Sequence, residues 1–174
     1  MKISFLILAK SDSKRLPNKN ILDYKGKPMF VWNLEKCLKF GKTYVSSDSD
    51  EILEIAKRYK AIPIKRPKEL CGNTPNIPVY QHAIKFMKDI DGFIAVQANS
   101  PDIKEKLIKK TKNAFEMGFM EVMTIHQDKS IYGSVWAMTI DRLNNYGDPY
   151  NPKPEFTIVD YSEDIHYEQD LYNS

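Results

Sequence analysis

Residues 8–20 read LAKSDSKRLPNKN, and this stretch decides what the rest of the chain is expected to be. It follows an apolar run, Ile3 to Leu8, that is short enough to be a buried strand and is flanked by polar residues. The stretch carries four cations and a single acid, Asp12, with small hydroxyl side chains among them. A strand that ends in such a loop offers backbone N–H groups, hydroxyls and ammonium groups to a polyanion. On charge alone, a solvated surface turn explains the composition equally well.

Strands and helices alternate after this loop. Apolar residues at three- and four-residue spacing predict a helix that begins at Pro28 and ends before Gly41, and similar stripes predict three more helices between the later strands. Such alternation implies right-handed crossovers, so the predicted class is α/β, with a mainly parallel central sheet and helices on both faces. The predicted strands are Ile3–Leu8, Thr43–Ser47, Ala61–Lys65, Gly92–Gln97, Met120–Ile125, Ser134–Ile140 and Phe156–Val159.

The composition is that of an ordinary globular protein. At 174 residues the chain is long enough for a real core, and 28% charged with 42% hydrophobic residues are usual values. No internal repeat, low-complexity tract or linker interrupts the sequence, so a single domain over residues 1–174 is predicted.

Cysteine content and hydropathy predict a cytoplasmic protein with no membrane partner. Cys37 and Cys71 are too few for a disulfide scaffold, and both are predicted to be reduced and half-buried. The apolar start, Ile3 to Ala9, has no small-residue cleavage pattern and is not predicted to be a signal peptide. No stretch approaches the roughly 20 apolar residues of a membrane span.

Charge is distributed unevenly along the chain. Residues 1–27 carry seven Lys and Arg against two Asp, whereas residues 155–170 carry six acids and no Lys or Arg. This asymmetry suits a phosphate cradle that faces a cation site, although two solvated charged faces fit it as well. The net charge of +3 is too small to indicate nucleic acid. A lysine run with no interleaved aromatic predicts a solvated helix face instead of an oligonucleotide surface: Lys104, Lys106, Lys109, Lys110 and Lys112.

The order of residues in the opening loop resembles the nucleotide-binding signature of the CMP-acylneuraminate synthetase family of cytidylyltransferases, approximately L-A-R-x-x-S-K-x-L-P-x-K-N. Lys10 stands at the usual arginine position. The resemblance implies a Rossmann-like nucleotidyltransferase fold and a loop that holds the base and triphosphate of CTP. The matching residues are Leu8, Ala9, Ser13, Lys14, Leu16, Pro17, Lys19 and Asn20.

Four later segments extend the resemblance over nearly the full chain. Residues 46–49 (SSDS) stand where the family has V-S-T-D, and residues 66–70 (RPKEL) with Thr74 resemble R-P-x-E-L and its following threonine. Residues 97–101 (QANSP) resemble Q-P-T-S-P, and residues 164–171 (DIHYEQDL) resemble D-I-D-T-x-x-D-L. Because open α/β sheets bind ligands at the carboxyl ends of their strands, the loops around residues 8–20, 46–48, 66–74 and 97–101 are expected to meet.

The family reaction is attack by an acceptor oxygen on the α-phosphorus of CTP, which requires cations and donors around the phosphates. The resemblance implies that Lys14, Lys19 and Lys10 are catalytic, and that Gln97, Asn99 and Ser100 face the acceptor. The implied nucleotide-binding residues are Leu8, Ala9, Lys10, Ser13, Lys14, Asn20, Arg66 and Thr74. Without the motif, Ser13 and Asn20 are ordinary turn residues and Arg66 belongs to a surface ion pair.

The implied cofactor is Mg²⁺, with Asp164 as its ligand because hard divalent ions prefer oxygen. His166 replaces the family's second aspartate, and imidazole suits softer metals better. His166 is therefore either a second metal ligand, a hydrogen-bonding group for acceptor or phosphate, or a bystander. Two other departures are Lys10, which lacks the bidentate fork of arginine, and Asp102, which stands where the family commonly has arginine.

The chain is shorter than the sugar-activating members of the family. About 30 residues separate Pro101 from Gly133, an interval that in those members includes an arm supporting dimerisation. We therefore predict a minimal member of the family that is monomeric or weakly dimeric. Its acceptor site is predicted to be smaller or more open. The acceptor is a nonulosonic or 2-keto-3-deoxy sugar acid of surface polysaccharide synthesis, or a small phosphonate or phosphorylated metabolite, which is already ionised and needs no general base. The alternative is a non-catalytic nucleotide-binding protein of the same fold.

Overall fold

The computed structural model describes residues 1–162, and the predicted metal residues Asp164 and His166 lie outside them. The strands are β1 (Ile3–Leu8), β2 (Asp23–Tyr24), β3 (Lys27–Pro28), β4 (Thr43–Ser47), β5 (Ile62–Lys65), β6 (Gly92–Val96), β7 (Glu121–Ile125), β8 (Ile131–Thr139) and β9 (Phe156–Val159). The helices are α1 (Met29–Leu38), α2 (Asp50–Arg58), α3 (Asn76–Ala83), α4 (Glu105–Glu116) and α5 (Ile140–Asn144).

Seven strands form one sheet in the order β5-β4-β1-β6-β8-β7-β9, and β2 and β3 form a separate hairpin. All neighbours in the large sheet are parallel except β8, which runs antiparallel to β6 and β7. The antiparallel direction has a simple cause, since a five-residue connection from β7 to β8 is too short for a parallel crossover. The predicted mainly parallel α/β sheet is confirmed.

Helices cover both faces of the sheet. Phe5 and Ile7 of β1 point into a core shared with α1, α2 and α4, whereas Leu6 points into a second core shared with α3 and α5. Because successive strand residues face opposite sides, a strand buried on both faces is apolar throughout, which is how β1 reads. Among residues 1–162, no helix is long and apolar enough to cross a bilayer.

Several local expectations were wrong. The β2–β3 hairpin and α5 were not predicted, and Pro28 is the N-cap residue of α1 instead of a first-turn residue. The β8 strand begins at Ile131, three residues before the predicted start. Cys37 is fully buried and only Cys71 is half-buried, although both are free thiols as predicted.

Candidate functional site

A cavity of about 190 Å³ lies at the carboxyl edge of the sheet, where β1, β4, β5 and β6 end. An adjoining depression of about 270 Å³ shares part of its lining and adds Lys14 and Arg15. Three of the four loops that the sequence predicted to meet (8–20, 66–74 and 97–101) line the cavity, and the fourth, 46–48, contacts the opening loop through Asp48. The predicted site residues that line the cavity are Leu8, Lys10, Ser13, Lys19, Asn20, Arg66, Thr74, Gln97 and Asn99.

The remaining predicted residues lie elsewhere. Ala9 and Ser100 are fully buried and do not line the cavity. Within residues 1–162, no cluster of three or more His, Cys, Asp or Glu side chains could hold a metal ion.

One wall of the cavity is apolar. Leu8, Val79, Tyr80 and Ala95 line it beside the polar loops. Tyr80 is held rigidly, because its ring packs at 5.1 Å from Phe93 and 5.7 Å from the Trp136 ring system, measured between centroids. Burial raises the pKa of the Tyr80 hydroxyl, which therefore stays neutral. An apolar wall next to a cationic loop can accept a planar base on one side and anionic groups on the other.

Asp48 fixes the opening loop against β4. The Ser11 backbone N–H donates to Asp48 Oδ1 over 2.8 Å, and the Ser11 hydroxyl donates to Asp48 Oδ2. Partial burial acts to raise the pKa of Asp48, but these hydrogen bonds and the charge of Arg66 outweigh it and hold the pKa below its ordinary value of 3.8. Inside the loop, Asn20 Nδ2 donates to Lys10 O over 2.9 Å, so Asn20 also performs the turn role considered for it.

Replacing Asp48 with asparagine is expected to reduce the free energy of unfolding at pH 7 by about 1–3 kcal/mol, because a charged acceptor of two hydrogen bonds is lost. Since the folded pKa is depressed, the contribution of Asp48 is present above its ordinary value and is lost as the pH falls through the folded value. Urea unfolding should therefore separate wild type from Asp48→Asn at pH 7, and the difference in free energy of unfolding should shrink as the pH falls below 3.8. Asp50→Asn, in an exposed pair with Lys65, is the matched control and should change little.

Two residues that the sequence reasoning missed connect the opening loop to the loop after β5. Lys10 Nζ donates to Gly72 O, and the Gly72 N–H donates to Asp12 Oδ2, each over 2.8 Å. Gly72 has a φ of +69°, a conformation that glycine adopts without a Cβ penalty. Lys10 is thus held by a neutral carbonyl at the cavity wall. Asp12 and Gly72 are 60 positions apart, and no local signal joins them.

Arg66 is the most unusual residue of the cavity. It is only 4% exposed, and its guanidinium donates from Nε to Ser46 Oγ (3.3 Å) and from Nη2 to Ser46 O (3.1 Å). Within residues 1–162 no carboxylate lies within 4.0 Å of it, so the surface ion pair considered for Arg66 is not formed there. Burial lowers the pKa of Arg66, and the acidic groups of Cys71, Asp48 and Asp12 offset this only in part. A buried cation that faces a cavity without a close counter-ion is suited to bind an anion.

Side chains of α1 fix the loop after β6 through hydrogen bonds. Asn33, which is fully buried, donates through Nδ2 to the carbonyls of Gln97 (2.7 Å) and Ser100 (2.8 Å). Lys36 Nζ donates to the carbonyls of Pro101 and Ile103, both at 2.7 Å. These bonds satisfy backbone acceptors that a buried loop would otherwise leave unpaired. The backbone that presents Gln97 to the cavity is therefore fixed.

A mainly parallel α/β sheet with a cation-lined cavity at its carboxyl edge is the arrangement expected of a Rossmann-like nucleotidyltransferase. The family model described as cytidylyltransferase matches residues 4–169, and the chain belongs to that family. The chain is 32% identical over 124 residues to pseudaminic acid cytidylyltransferase of Campylobacter jejuni, a match that covers 66% of this chain and 53% of that protein. It is 35% identical over 104 residues to N-acylneuraminate cytidylyltransferase of Escherichia coli (58% and 25% covered).

Among solved structures, CMP:2-keto-3-deoxy-manno-octonic acid synthetase complexed with CTP superimposes with a TM-score of 0.80 at 15% identity, covering 99% of this chain and 96% of that one. This likeness supports the fold. The chain spans about half the length of the Campylobacter relative and a quarter of the Escherichia one.

Proposed function

We propose that the protein is a CTP-dependent cytidylyltransferase that transfers CMP to an acceptor oxygen and releases pyrophosphate. The observation that carries the proposal is Arg66, a buried cation that faces a cavity shared with Lys10 and Lys19 and walled on one side by apolar residues. In this arrangement cytosine lies against the apolar wall near Leu8, and the triphosphate extends toward Lys14 in the adjoining depression.

The chemistry of the step explains why cations dominate the site. The acceptor oxygen forms a bond to the α-phosphorus while the bond from that phosphorus to the bridging oxygen of pyrophosphate breaks, and the departing electron pair stays on pyrophosphate. A hydroxyl acceptor releases its proton to solvent in this step, whereas an ionised acceptor has none to release. Because charge moves onto phosphate oxygens, preorganised donors such as Arg66, Lys14 and Lys19 lower the barrier by stabilising it. The hydrogen bonds from Lys10 to Gly72 and from Gly72 to Asp12 hold the opening loop, which carries these lysines, in place.

The acceptor we propose is a 2-keto-3-deoxy sugar acid, the class to which the named substrates of the relatives belong. A small phosphonate or phosphorylated metabolite is the second candidate. It is favoured by the connection between β7 and β8, which is only five residues long and has no room for an inserted arm. An ionised phosphonate oxygen also attacks without a general base.

Pyrophosphate release tests the proposal. The protein is incubated with CTP, Mg²⁺ and two acceptor panels: pseudaminic, N-acetylneuraminic and 3-deoxy-manno-octulosonic acids, and short alkyl phosphonates with their phosphate counterparts. We expect release with CTP and one panel, and at least 10-fold less with UTP or ATP. CTP binding without release from either panel would contradict the enzyme and favour the non-catalytic nucleotide-binding protein.

We further propose that Asp164 binds the Mg²⁺ that would neutralise the triphosphate. Connectivity supports this, because β9 ends at the same edge of the sheet as the cavity and Asp164 follows it by five residues. Asp160, which is buried there, has both carboxylate oxygens engaged by Ser134 and Ser162 and is not available as a ligand.

Asp164→Ala is expected to raise the Mg²⁺ concentration for half-maximal turnover by about 10-fold or more, as for loss of an oxygen ligand. The measurement is a Mg²⁺ titration of pyrophosphate release at saturating CTP. Glu163→Ala removes a neighbouring acid and should leave the titration unchanged. Equal titrations of Asp164→Ala and wild type would place the metal elsewhere.

A further inference from the structure

Two residues outside the cavity hold the side chain of Gln97 in place through hydrogen bonds. The Ser100 hydroxyl donates to Gln97 Oε1 over 3.2 Å, and the Tyr132 hydroxyl lies 3.1 Å from Ser100 Oγ. Ser100 is fully buried, and the Tyr132 ring stacks on His126 with a centroid separation of 4.1 Å and an interplanar angle of 14°. Both hydroxyls are therefore carried by restrained side chains.

The Gln97 amide turns its oxygen end toward Ser100. A glutamine amide has one acceptor end, Oε1, and one donor end, Nε2, at nearly equal positions. Because Oε1 is engaged by Ser100, Nε2 is the end left for the cavity that Gln97 lines, and it makes no hydrogen bond within residues 1–162.

The backbone of Gln97 is fixed as well. Its N–H donates to Ser134 O over 2.8 Å, and its carbonyl accepts from Asn33 Nδ2 over 2.7 Å. With the main chain held at both groups and the amide held at Oε1, the side chain has little freedom to turn its oxygen toward a ligand.

We propose that Ser100 and Tyr132 are positioning residues that hold Gln97 as a dedicated hydrogen-bond donor to the acceptor substrate. This inference rests on the proposed function and deepens it. The acceptor must present to Gln97 an oxygen that accepts hydrogen bonds and carries no proton, which is the chemistry of a carboxylate, phosphonate or phosphate oxygen. A rotated amide would set its own lone pairs against such an oxygen, and that arrangement is repulsive.

The first experiment measures the amide directly and needs no substrate. In ¹⁵N-labelled full-length protein, the order parameter of the Gln97 Nε2 group is compared between wild type, Ser100→Ala and Tyr132→Phe. We expect a clear fall in Ser100→Ala and a smaller one in Tyr132→Phe, which keeps the ring stack on His126. Tyr161→Phe, at an exposed tyrosine, is the matched control and should not alter the order parameter. An unchanged order parameter in Ser100→Ala would overturn the proposal.

The second experiment separates positioning from folding. With the acceptor that supports turnover, Ser100→Ala should raise the acceptor KM by about 5- to 30-fold and Tyr132→Phe by about 3- to 10-fold, the range for misplacing one hydrogen bond to a charged group. The KM for CTP should stay at the wild-type value, and thermal melts should show each variant fully folded at the assay temperature. Gln97→Glu, which replaces the donor with an anion, should raise the acceptor KM by at least about 100-fold. An equal loss for CTP and acceptor would mean a merely structural role and would overturn the proposal.

The outcome of each experiment can be judged independently of the other. If wild type releases no pyrophosphate with either acceptor panel, the proposed function is wrong, whereas the order parameter still decides how the Gln97 amide is held.

Discussion

Replacing Arg66 with methionine is expected to reduce kcat/KM for CTP by at least about 100-fold, the loss typical of a donor to developing phosphate charge, while the protein keeps or gains stability. Arg66 is 4% exposed and has no carboxylate within 4.0 Å in residues 1–162, so no close ion pair offsets the desolvation of its guanidinium. Replacing a buried ion pair with apolar residues is often neutral or stabilising by about 1–4 kcal/mol, and in the described part of the chain Arg66 lacks even a close partner that would offset its desolvation. Ser46 O stays satisfied because it also accepts from the Ala9 N–H at 3.0 Å.

If Arg66 binds CTP, replacing it lowers activity while stability is kept or increased. If Arg66 instead supports the fold, replacing it lowers stability. Steady-state kinetics with CTP and thermal unfolding of the same preparation measure both. Arg58→Met, at the exposed end of α2, is the matched control and should change neither. Arg66→Lys keeps the charge without the fork and should fall between wild type and Arg66→Met. A destabilised Arg66→Met with normal CTP kinetics would show that Arg66 serves the fold.

The parts of the fold that could be predicted are those with a local cause. The β4 strand was predicted at its observed bounds because a capping cluster follows it directly, and Ser49 does cap α2 by accepting from the Ile52 N–H over 3.3 Å. The position of the cavity followed from the rule that parallel strands present their carboxyl ends at one edge. Applying that rule requires only that strands and helices alternate along the chain, and the sequence shows this alternation.

The parts that were missed depend on short or long-range interactions. Two-residue strands such as β2 and a five-residue helix such as α5 are too short to show a period. The bond from Gly72 to Asp12 joins residues 60 positions apart, and the contact between Ser100 and Tyr132 spans 32. Among the described residues, Arg66 is buried without an ion pair because of how the loops assemble around it. The residues on either side of position 66 are equally consistent with an arginine on the surface.

Lys14→Ala is expected to lower kcat/KM for CTP by about 100-fold or more, because Lys14 is one of the two cations that the depression beside the cavity adds for the outer phosphates. The side chain is exposed and makes no salt bridge within residues 1–162, so its removal should cost no more than about 0.5 kcal/mol of stability. Its exposure has a second consequence. The contribution of Lys14 is screened by salt, so raising the ionic strength should narrow the gap between wild type and Lys14→Ala.

Lys25→Ala distinguishes a specific phosphate contact from a general effect of positive charge. Lys25 is also exposed, but it lies over the Tyr24 ring at 5.1 Å and lines neither the cavity nor the depression. Both variants lose one charge, so a long-range attraction for CTP would weaken equally in each. A contact at the triphosphate weakens only Lys14→Ala, and the loss should appear in single-turnover rates as well as in CTP affinity, because the phosphate charge it stabilises grows in the transition state. Equal kinetics for the two variants would remove Lys14 from the site and leave Arg66 and Lys19 to neutralise the phosphates.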